Sequence, residues 1–455
     1  MPEMGDEMLR VDGLSTRFFT GEGQVNAVED VSFGVREGEV FGIVGESGSG
    51  KSVTGLSVLD LVESPGEVTA GSVWYRNADL AAAVADDHPE AVDGDAVDLR
   101  GVPTEVRESL RGTEFSMIFQ DPESSFNPSV TVGEQIAEAV EVQRRASATP
   151  RSTRARTDDY SLGSLVLSTV LPSTRYVSEE SRERAVELLE LVGIPDPVER
   201  ADEYPHEYSG GMLQRAMIAQ ALAGEPDVLV ADEPTTALDV TIQAQILNLL
   251  KDLQAETDMS IVLITHNLGV VARMCDRVGV MYAGEIVERG SLADVFRDNV
   301  HPYTQGLLGS VPDLEDVGGA LDPIPGNVPS LLDHEMEDRC YFADRCPKAM
   351  EACLERPPVH AVGADGDTAV GAGSAEATGD ERADADAHLV KCVLAETAYG
   401  ESEPLPPDHF GEGAVDRGGS TAATESASEA VGSTTEDGDG APTDDAASPD
   451  GGERR

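Results

Sequence analysis

A glycine-rich run near the start of the chain has the residue types that bind nucleotide phosphates. It matches the pattern G-x-x-x-x-G-K-[ST] in full and consists of Gly45, Glu46, Ser47, Gly48, Ser49, Gly50, Lys51 and Ser52. Backbone N–H groups of such a loop, and of the helix that follows it, surround phosphate oxygens. Lys51 would reach the β- and γ-phosphates, and the Ser52 hydroxyl would bind Mg2+. The predicted nucleotide contacts extend to Thr54 in the same helix.

Two carboxylates stand at the end of an apolar run. Residues 228–231 read Val-Leu-Val-Ala, and Asp232 and Glu233 follow them. Asp232 could orient Mg2+ and its water, while Glu233 could polarise a water that attacks the γ-phosphate. His266, at the end of a second apolar run, is a candidate to contact the same phosphate and water, although a single histidine is more often structural. Gln120, after a third apolar run, is a further candidate.

Ser209, Gly210 and Gly211 begin a predicted helix far from the phosphate loop in the sequence. A helix N-terminus attracts anions because its first N–H groups have no partner within the helix. The chain nevertheless has no second phosphate loop. One molecule would therefore present one complete phosphate site and one detached helix terminus. The economical arrangement is two molecules, or two related chains, placed head to tail so that each helix terminus closes the other's nucleotide site.

Alternating strands and helices must position these residues. Apolar periodicity predicts strands at residues 9–20, 27–35, 39–44, 228–231 and 260–265, and helices at 51–61, 179–192 and 211–223. Strands that alternate with helices are typical of a parallel α/β fold, whose ligands bind at the carboxyl ends of the strands. The sequence therefore predicts that the candidate residues meet at one edge of a sheet.

The net charge restricts the partners of the chain. Lys and Arg number 32 against 86 Asp and Glu, which gives −54 at pH 7. Such a surface repels phosphate backbones, so it counts against a nucleic-acid-coating protein. The composition is typical of a salt-loaded cytoplasm, as in haloarchaea, because near 1 M salt the Debye length falls to about 3 Å and the repulsion is screened. An acidic protein of an ordinary cytoplasm is the alternative.

Several segments depart from the α/β pattern. Residues 78–108 are acidic and Ala-rich, and residues 144–178 are rich in Ser, Thr and Arg, so both are predicted to be surface insertions or long loops. Residues beyond about 400 have the composition of a disordered acidic tail. No segment reaches the roughly 18 apolar residues that span a bilayer, and the N-terminus lacks a signal-peptide pattern. We expect the chain in the cytosol or on the cytoplasmic face of the cell membrane.

Taken together, these motifs resemble the ATP-binding subunits of ATP-binding-cassette (ABC) transporters. The resemblance rests on the ordered set 45–52, 119–122, 209–214, 232–233, 236–239 and His266. A finer resemblance is to the dipeptide, oligopeptide and nickel importer group, and it rests on residues 204–212, 232–245, 281–284 and 301–308. Leu213 departs from the pattern, because many members of this group carry Arg there.

This resemblance implies a fold and a division into domains. The fold would be α/β: a P-loop ABC-type nucleotide-binding domain with a RecA-like core, an antiparallel β subdomain and a helical subdomain, followed by a small C-terminal Cys-containing domain and a disordered acidic tail. The implied bounds are 1–300 for the ATPase domain, about 120–225 for its helical subdomain, 301–398 for the C-terminal domain and 399–455 for the tail.

It also implies a role for each site residue. Glu233 would be the general base, His266 the γ-phosphate sensor, and Gln120 both a magnesium contact and a relay to the membrane subunits. Phe18, with Phe19 as the alternative, would stack on adenine. The remaining implied contacts are Val28 beneath the ribose, Asp239 across the dimer seam, and Ser209, Gly210, Gly211 and Gln214 on nucleotide held by a partner.

Four cysteines near the C-terminus form a separate candidate site. Cys340, Cys346, Cys353 and Cys392 offer enough thiolates for a [4Fe–4S] cluster or a tetrahedral zinc, but the spacing is not that of a standard ferredoxin. Some peptide-importer ATPases are similar in carrying such a cluster. Zinc and plain reduced thiols are the alternatives, and Cys275 is predicted to be a core residue.

The resemblance implies an ATPase that uses ATP and Mg2+ to power uptake of peptides or a related small solute. Its partners would be a second ABC ATPase subunit, two transmembrane permease subunits and an extracellular solute-binding protein, with no nucleic acid. Two other classes are alternatives: a soluble ABC ATPase that acts on nucleic acid, in repair or translation, and an unrelated phosphate-loop enzyme such as a small-molecule kinase. Residues 209–214 would have no role in an unrelated phosphate-loop enzyme.

Overall fold

Two β-sheets organise the chain. The computed structural model describes residues 6–148, 177–236, 238–310, 324–332, 336, 338–362, 375–376 and 386–396. The strands are β1 Glu7–Thr20, β2 Gly23–Arg36, β3 Val40–Val44, β4 Gly66–Arg76, β5 Val92–Asp93, β6 Ala96–Asp98, β7 Phe115–Ile118, β8 Val228–Asp232, β9 Ser260–Thr265, β10 Arg277–Tyr282, β11 Glu285–Ser291, β12 His360–Val362, β13 Ala375–Glu376 and β14 His388–Val390.

Helices connect these strands and cover the sheets. They are α1 Lys51–Val58, α2 Ala78–Val84, α3 Thr104–Leu110, α4 Pro122–Ser125, α5 Val132–Ala148, α6 Glu179–Leu191, α7 Pro197–Arg200, α8 Gly210–Ala221, α9 Val240–Thr257, α10 Leu268–Met274, α11 Leu292–Phe296 and α12 Pro302–Gly309. The predicted strands and helices are all present, with bounds shifted by up to four residues.

The larger sheet has a parallel core in the order β10-β3-β9-β8-β7. Its strands are continuous apolar runs, and every residue of β3, β8 and β9 is buried, as expected for a parallel sheet covered on both faces. Val44 lies opposite Thr265, Asp232 opposite Ile264, and Ile118 opposite Ala231. The carboxyl ends of four strands therefore meet at one edge, which confirms the predicted α/β arrangement.

The smaller sheet is antiparallel and has the order β2-β1-β4-β6-β5. Of the segment 78–108 it contains β5 and β6, and α2 and α3 lie in the same segment. The prediction of a long loop there is therefore wrong, and the alternative, a surface insertion, stays a prediction. Strand β6 pairs with β4, Leu80 and Val84 of α2 are buried, and Val97 is fully buried. The side chain of Asn77 accepts a hydrogen bond from Leu80 N, which caps α2. These elements are two to seven residues long, too short to give a clear apolar period.

A helical segment lies between β7 and β8. Helices α5, α6 and α8 contact one another and bury Ile136, Leu188 and Ile218. The predicted insertion at 144–178 begins within α5, and its residues 149–176 lie outside the described part of the chain. The segment as a whole corresponds to the helical subdomain implied by the sequence.

The C-terminal region continues the larger sheet. Strand β14 pairs with β11 of the ATPase fold, and β12 pairs with β14. Phe342 packs against Tyr282 and Tyr303, with ring centroids 5.2 and 5.4 Å apart. The described C-terminal residues and the ATPase fold therefore share one core, and all of them belong to a single unit at residues 1–416. The predicted tail at 399–455 lies outside the described residues.

Within the part of the chain that the structure describes, no helix is long and apolar enough to cross a membrane.

Candidate nucleotide site

The phosphate loop connects β3 to α1, as the sequence predicts. Gly45 and Gly50 have no room for a side chain, because a Cβ would lie 2.1 Å from Met281 O at the first and 2.3 Å from Ala27 O at the second. Gly50 also has φ +100, a conformation that glycine adopts readily and other residues avoid. The loop thus takes its shape from close backbone packing against β2 and β10.

Lys51 folds back onto this loop. Its Nζ donates hydrogen bonds to Gly45 O at 2.9 Å and to Glu46 O at 2.7 Å, and its side chain is buried. Burial lowers the pKa of Lys51, although Glu233 and Asp232 oppose this shift. The ammonium group would exchange these carbonyls for phosphate oxygens when a nucleotide binds.

Two of the three predicted magnesium residues, Ser52 and Asp232, are adjacent, whereas Gln120 bonds to Glu233. The Ser52 hydroxyl donates a hydrogen bond to Asp232 Oδ1 at 3.0 Å, joining the start of α1 to the end of β8. Burial raises the pKa of Asp232, and the bond from Ser52 opposes that shift. A hydroxyl and a carboxylate are oxygen ligands of the kind that Mg2+ prefers, so the residues present fit this ion.

Glu233 joins the other strand ends. Its Oε2 accepts hydrogen bonds from Gln120 Nε2 at 3.1 Å and from Thr236 Oγ1 at 2.7 Å, and its Oε1 lies 2.9 Å from His266 Nδ1. Its own φ of +46 is unusual for a residue with a side chain, and its N–H donates to Ile264 O. Strain of this kind is typical of residues whose position is functionally constrained.

The surroundings of Glu233 favour its ionised form. Burial opposes ionisation, but the hydrogen bonds from His266 and Thr236 and the positive charge of Lys51 lower the pKa of Glu233 below its ordinary value. A carboxylate that stays ionised at neutral pH can accept a proton from water. Thr236 has no predicted role, although its position three residues after Glu233 is a signal that its hydroxyl could reach the carboxylate.

Three other residues that were predicted to contact the nucleotide are buried. Val28 is fully buried and Gln214 is 2% exposed, so neither presents surface to a ligand in this conformation. Thr54 is also fully buried, and its hydroxyl donates to Gly50 O within the helix. Phe19 is 51% exposed, whereas Phe18 is half-buried in β1 opposite Gly66. Exposure thus favours the alternative, Phe19, as the aromatic surface open to an adenine.

Ser209, Gly210 and Gly211 lie apart from the phosphate loop. Ser209 caps α8 by accepting a hydrogen bond from Met212 N, and Ser209 and Gly210 are exposed. No hydrogen bond or ion pair joins residues 209–211 to residues 45–52, all of which are described. Asp239 is likewise exposed and caps α9 through bonds from the N–H groups of Thr241 and Ile242.

The four C-terminal cysteines come together. Cys346, Cys353 and Cys392 are buried, Cys340 N donates to Cys353 O, and the four thiols are close enough to influence one another's ionisation. Burial raises the pKa values of Cys340 and Cys392. Among the described residues, however, no group of three or more His, Cys, Asp or Glu side chains has the geometry of a metal site. Cys275 is buried, as predicted.

This arrangement defines a nucleotide-binding domain of the ABC type, with a phosphate loop, a hydroxyl and a carboxylate beside it, a glutamate at a strand end and a separate helix N-terminus. Comparisons with known proteins agree. The family model "ABC transporter" matches residues 28–236, and the model "Oligopeptide/dipeptide transporter, C-terminal region" matches residues 287–353. The second match begins 14 residues before the C-terminal domain predicted from the sequence.

Individual relatives cover most of the chain. The dipeptide transport ATP-binding protein DppD of Bacillus subtilis is 43% identical over 364 residues, which are 80% of this chain and 93% of that protein. A putative peptide import ATP-binding protein of Brucella abortus is 44% identical, over 77% of this chain and 92% of that protein. DppD of Haemophilus influenzae is 42% identical, over 78% and 93%. The chain belongs to the ABC transporter ATP-binding proteins, in the family with the oligopeptide/dipeptide transporter C-terminal region, and it is an ATPase.

Proposed function

We propose that the chain is the ATP-hydrolysing subunit of an importer of dipeptides, oligopeptides or a related small solute. The observation that carries this proposal is the position of Glu233 at the end of β8, where its carboxylate contacts Gln120, Thr236 and His266 beside a phosphate loop. The names of the relatives support the substrate class.

The chemistry follows from the contacts. Lys51 would leave the carbonyls of Gly45 and Glu46 and bind the β- and γ-phosphates. Ser52, Asp232 and Gln120 would hold Mg2+, which supplies charge stabilisation when it is bound. Glu233 would orient a water and accept its proton, and His266 would contact the γ-phosphate. Phosphoryl transfer to water depends mainly on such positioning and electrostatics.

The complete site would need a second subunit. Ser209 and Gly210 are exposed at the N-terminus of α8, and Asp239 is exposed at that of α9. These exposed residues support a head-to-tail dimer, with either a second copy or a paralogue, in which Ser209 and Gly211 contact nucleotide held by the partner. Binding of ATP would close this dimer, and hydrolysis would open it.

The other proposed partners are two transmembrane permease subunits and an extracellular solute-binding protein, with the chain on the cytoplasmic face of the membrane. The net charge of −54 supports two further proposals: the chain does not act on nucleic acid, and its activity and dimerisation need molar salt.

An iron–sulfur cluster on Cys340, Cys346, Cys353 and Cys392 is a further proposal, supported by the proximity of the four thiols and the burial of three of them. Their present arrangement lacks metal-site geometry, so the cluster would require the four side chains to reorient. Anaerobic purification should then give absorbance near 400 nm with matching iron and sulfide contents. A colourless protein with four titratable thiols would contradict it.

Affinity purification of the chain from solubilised membranes, in molar KCl, tests the transporter proposal. We expect two permease subunits to copurify, and the complex in vesicles to take up labelled peptide only with ATP. Copurification of nucleic acid without permeases, together with DNA- or RNA-stimulated ATPase activity, would instead favour the soluble ABC ATPase.

A further inference from the structure

Two side chains of the C-terminal region, those of Tyr303 and Arg345, contact Glu46 of the phosphate loop. Tyr303 Oη accepts a hydrogen bond from Glu46 N at 2.9 Å. Arg345 donates two hydrogen bonds to the Glu46 carboxylate, from Nη1 to Oε2 at 3.1 Å and from Nη2 to Oε1 at 3.2 Å. Both the backbone and the side chain of Glu46 are thus held by the C-terminal region.

These two residues are themselves firmly placed. Tyr303 is fully buried at the start of α12, with its ring 4.6 Å from that of Tyr282. The Arg345 side chain is 5% exposed, its Nε donates to Pro325 O at 2.8 Å, and its guanidinium lies over the ring of Tyr282. Such a planar group with bidentate bonds keeps its geometry better than a flexible ammonium would.

Glu46 is also the residue that Lys51 contacts. Lys51 Nζ donates to Glu46 O, so the residue is held by Lys51 on its carbonyl side and by Tyr303 on its N–H side. When Lys51 turns to the phosphates of a bound nucleotide, its hydrogen bond to Glu46 O would be lost. The hydrogen bond from Glu46 N to Tyr303 can persist. The carboxylate of Glu46 would meanwhile stand beside a bound polyanion, and Arg345 offsets its charge.

We propose that Tyr303 and Arg345 are positioning residues for nucleotide binding: they fix Glu46 so that the phosphate loop keeps its shape, and Arg345 neutralises a carboxylate that would otherwise repel the phosphates. Neither residue touches the nucleotide in this account. The C-terminal region thereby becomes part of the ATP site rather than an independent attachment.

Steady-state ATPase kinetics of the full chain in its complex test the charge argument. Arg345→Ala leaves Glu46 unpaired, and an uncompensated unit charge at an effective dielectric constant of about 20 should raise KM for ATP about tenfold, with a smaller change in kcat. Removing the carboxylate as well, in the double variant Glu46→Gln/Arg345→Ala, should restore KM to within about threefold. Arg345→Lys should fall between the wild type and Arg345→Ala.

Tyr303→Phe tests the backbone contact separately. The substitution keeps the buried ring and removes only the acceptor of the Glu46 N–H, so KM for ATP should rise about fivefold with little change in thermal stability.

Arg339→Ala is the matched control for Arg345→Ala, because Arg339 makes a similar two-bond pair with Asp344 in the same region. It should leave KM unchanged.

Equal KM values for Arg345→Ala and the wild type would overturn the proposal. So would failure of Glu46→Gln to lower the KM of the Arg345→Ala protein, since the effect would then come from packing and not from charge. If a variant complex loses its partner subunits, binding of a non-hydrolysable ATP analogue to the chain alone gives the same comparison. Circular dichroism checks that each variant is folded.

Discussion

The contact between Thr236 and Glu233 allows the proposed base to be tested without removing it. Thr236→Val replaces a hydroxyl with a methyl group of similar size and deletes one of three hydrogen-bonding partners of the carboxylate, at 2.7 Å. A hydrogen bond to a charged group contributes about 1.5–3 kcal/mol, and water can partly replace it at this open site, so we expect a loss of about 1 kcal/mol. That corresponds to a fall of about fivefold in kcat.

The pH profile gives the more specific readout. Thr236 is one of the groups that lower the pKa of Glu233 against the effect of burial, so its removal should let that pKa rise. In the proposed mechanism Glu233 acts in its ionised form, so activity should be lost as the pH falls through its pKa. The acidic limb of kcat against pH should therefore move to higher pH in Thr236→Val.

The assay is ATP hydrolysis by the complex, in saturating ATP and molar KCl, at a series of pH values. Thr257→Val is the matched control, because the Thr257 hydroxyl donates to Leu253 O at the far end of α9. An unchanged kcat together with an unshifted acidic limb would refute the assignment of Glu233 as the ionised base that Thr236 supports.

Three further substitutions test the phosphate loop, the proposed magnesium ligands Ser52 and Asp232, and the packing of segment 78–108. Ser52→Ala removes the hydroxyl that bonds to Asp232, so the Mg2+ concentration for half-maximal ATPase activity should rise at least about tenfold. Gly50→Ala forces a Cβ to 2.3 Å from a backbone oxygen at φ +100, so equilibrium dialysis should detect little nucleotide binding by the folded protein. Leu99→Ala empties a buried position in the segment 78–108 and should lower the free energy of unfolding in urea by about 2–4 kcal/mol.

Each of these has a control and a contrary result. For Ser52, the control is Ser57→Ala on the same helix, and an equal Mg2+ dependence would contradict the pair. For Gly50, the control is Gly21→Ala, where a Cβ meets nothing within 4 Å, and normal binding would contradict the packing argument. For Leu99, the control is Val198→Ala at an exposed position. An equally small change in the free energy of unfolding would indicate that segment 78–108 is a loop.

The parallel sheet and its polar edge could be predicted because their signals are local. Apolar runs mark β3, β8 and β9, and a predicted site residue directly follows each of them, namely Gly45, Glu233 and His266. Strand ends of a parallel sheet meet at one edge, so Lys51, Asp232, Glu233 and His266 could be brought together from the sequence alone.

What could not be predicted depends on distant pairs or short elements. Tyr303 and Arg345 lie 257 and 299 residues from Glu46, and nothing near either residue indicates that partner. The burial of Val28 and Gln214 likewise depends on which side of an element faces the core. Segment 78–108 lacked periodicity because its strands and helices are too short to show one.

The most direct test of the central claim is the ATPase rate of Glu233→Gln in the purified complex at molar salt. The amide keeps the shape of the side chain but is not a base, so hydrolysis should fall by about 10²–10⁴-fold. ATP binding should persist, and a nucleotide-bound dimer should accumulate in size-exclusion chromatography. A hydrolysis rate equal to that of the wild type would contradict the account.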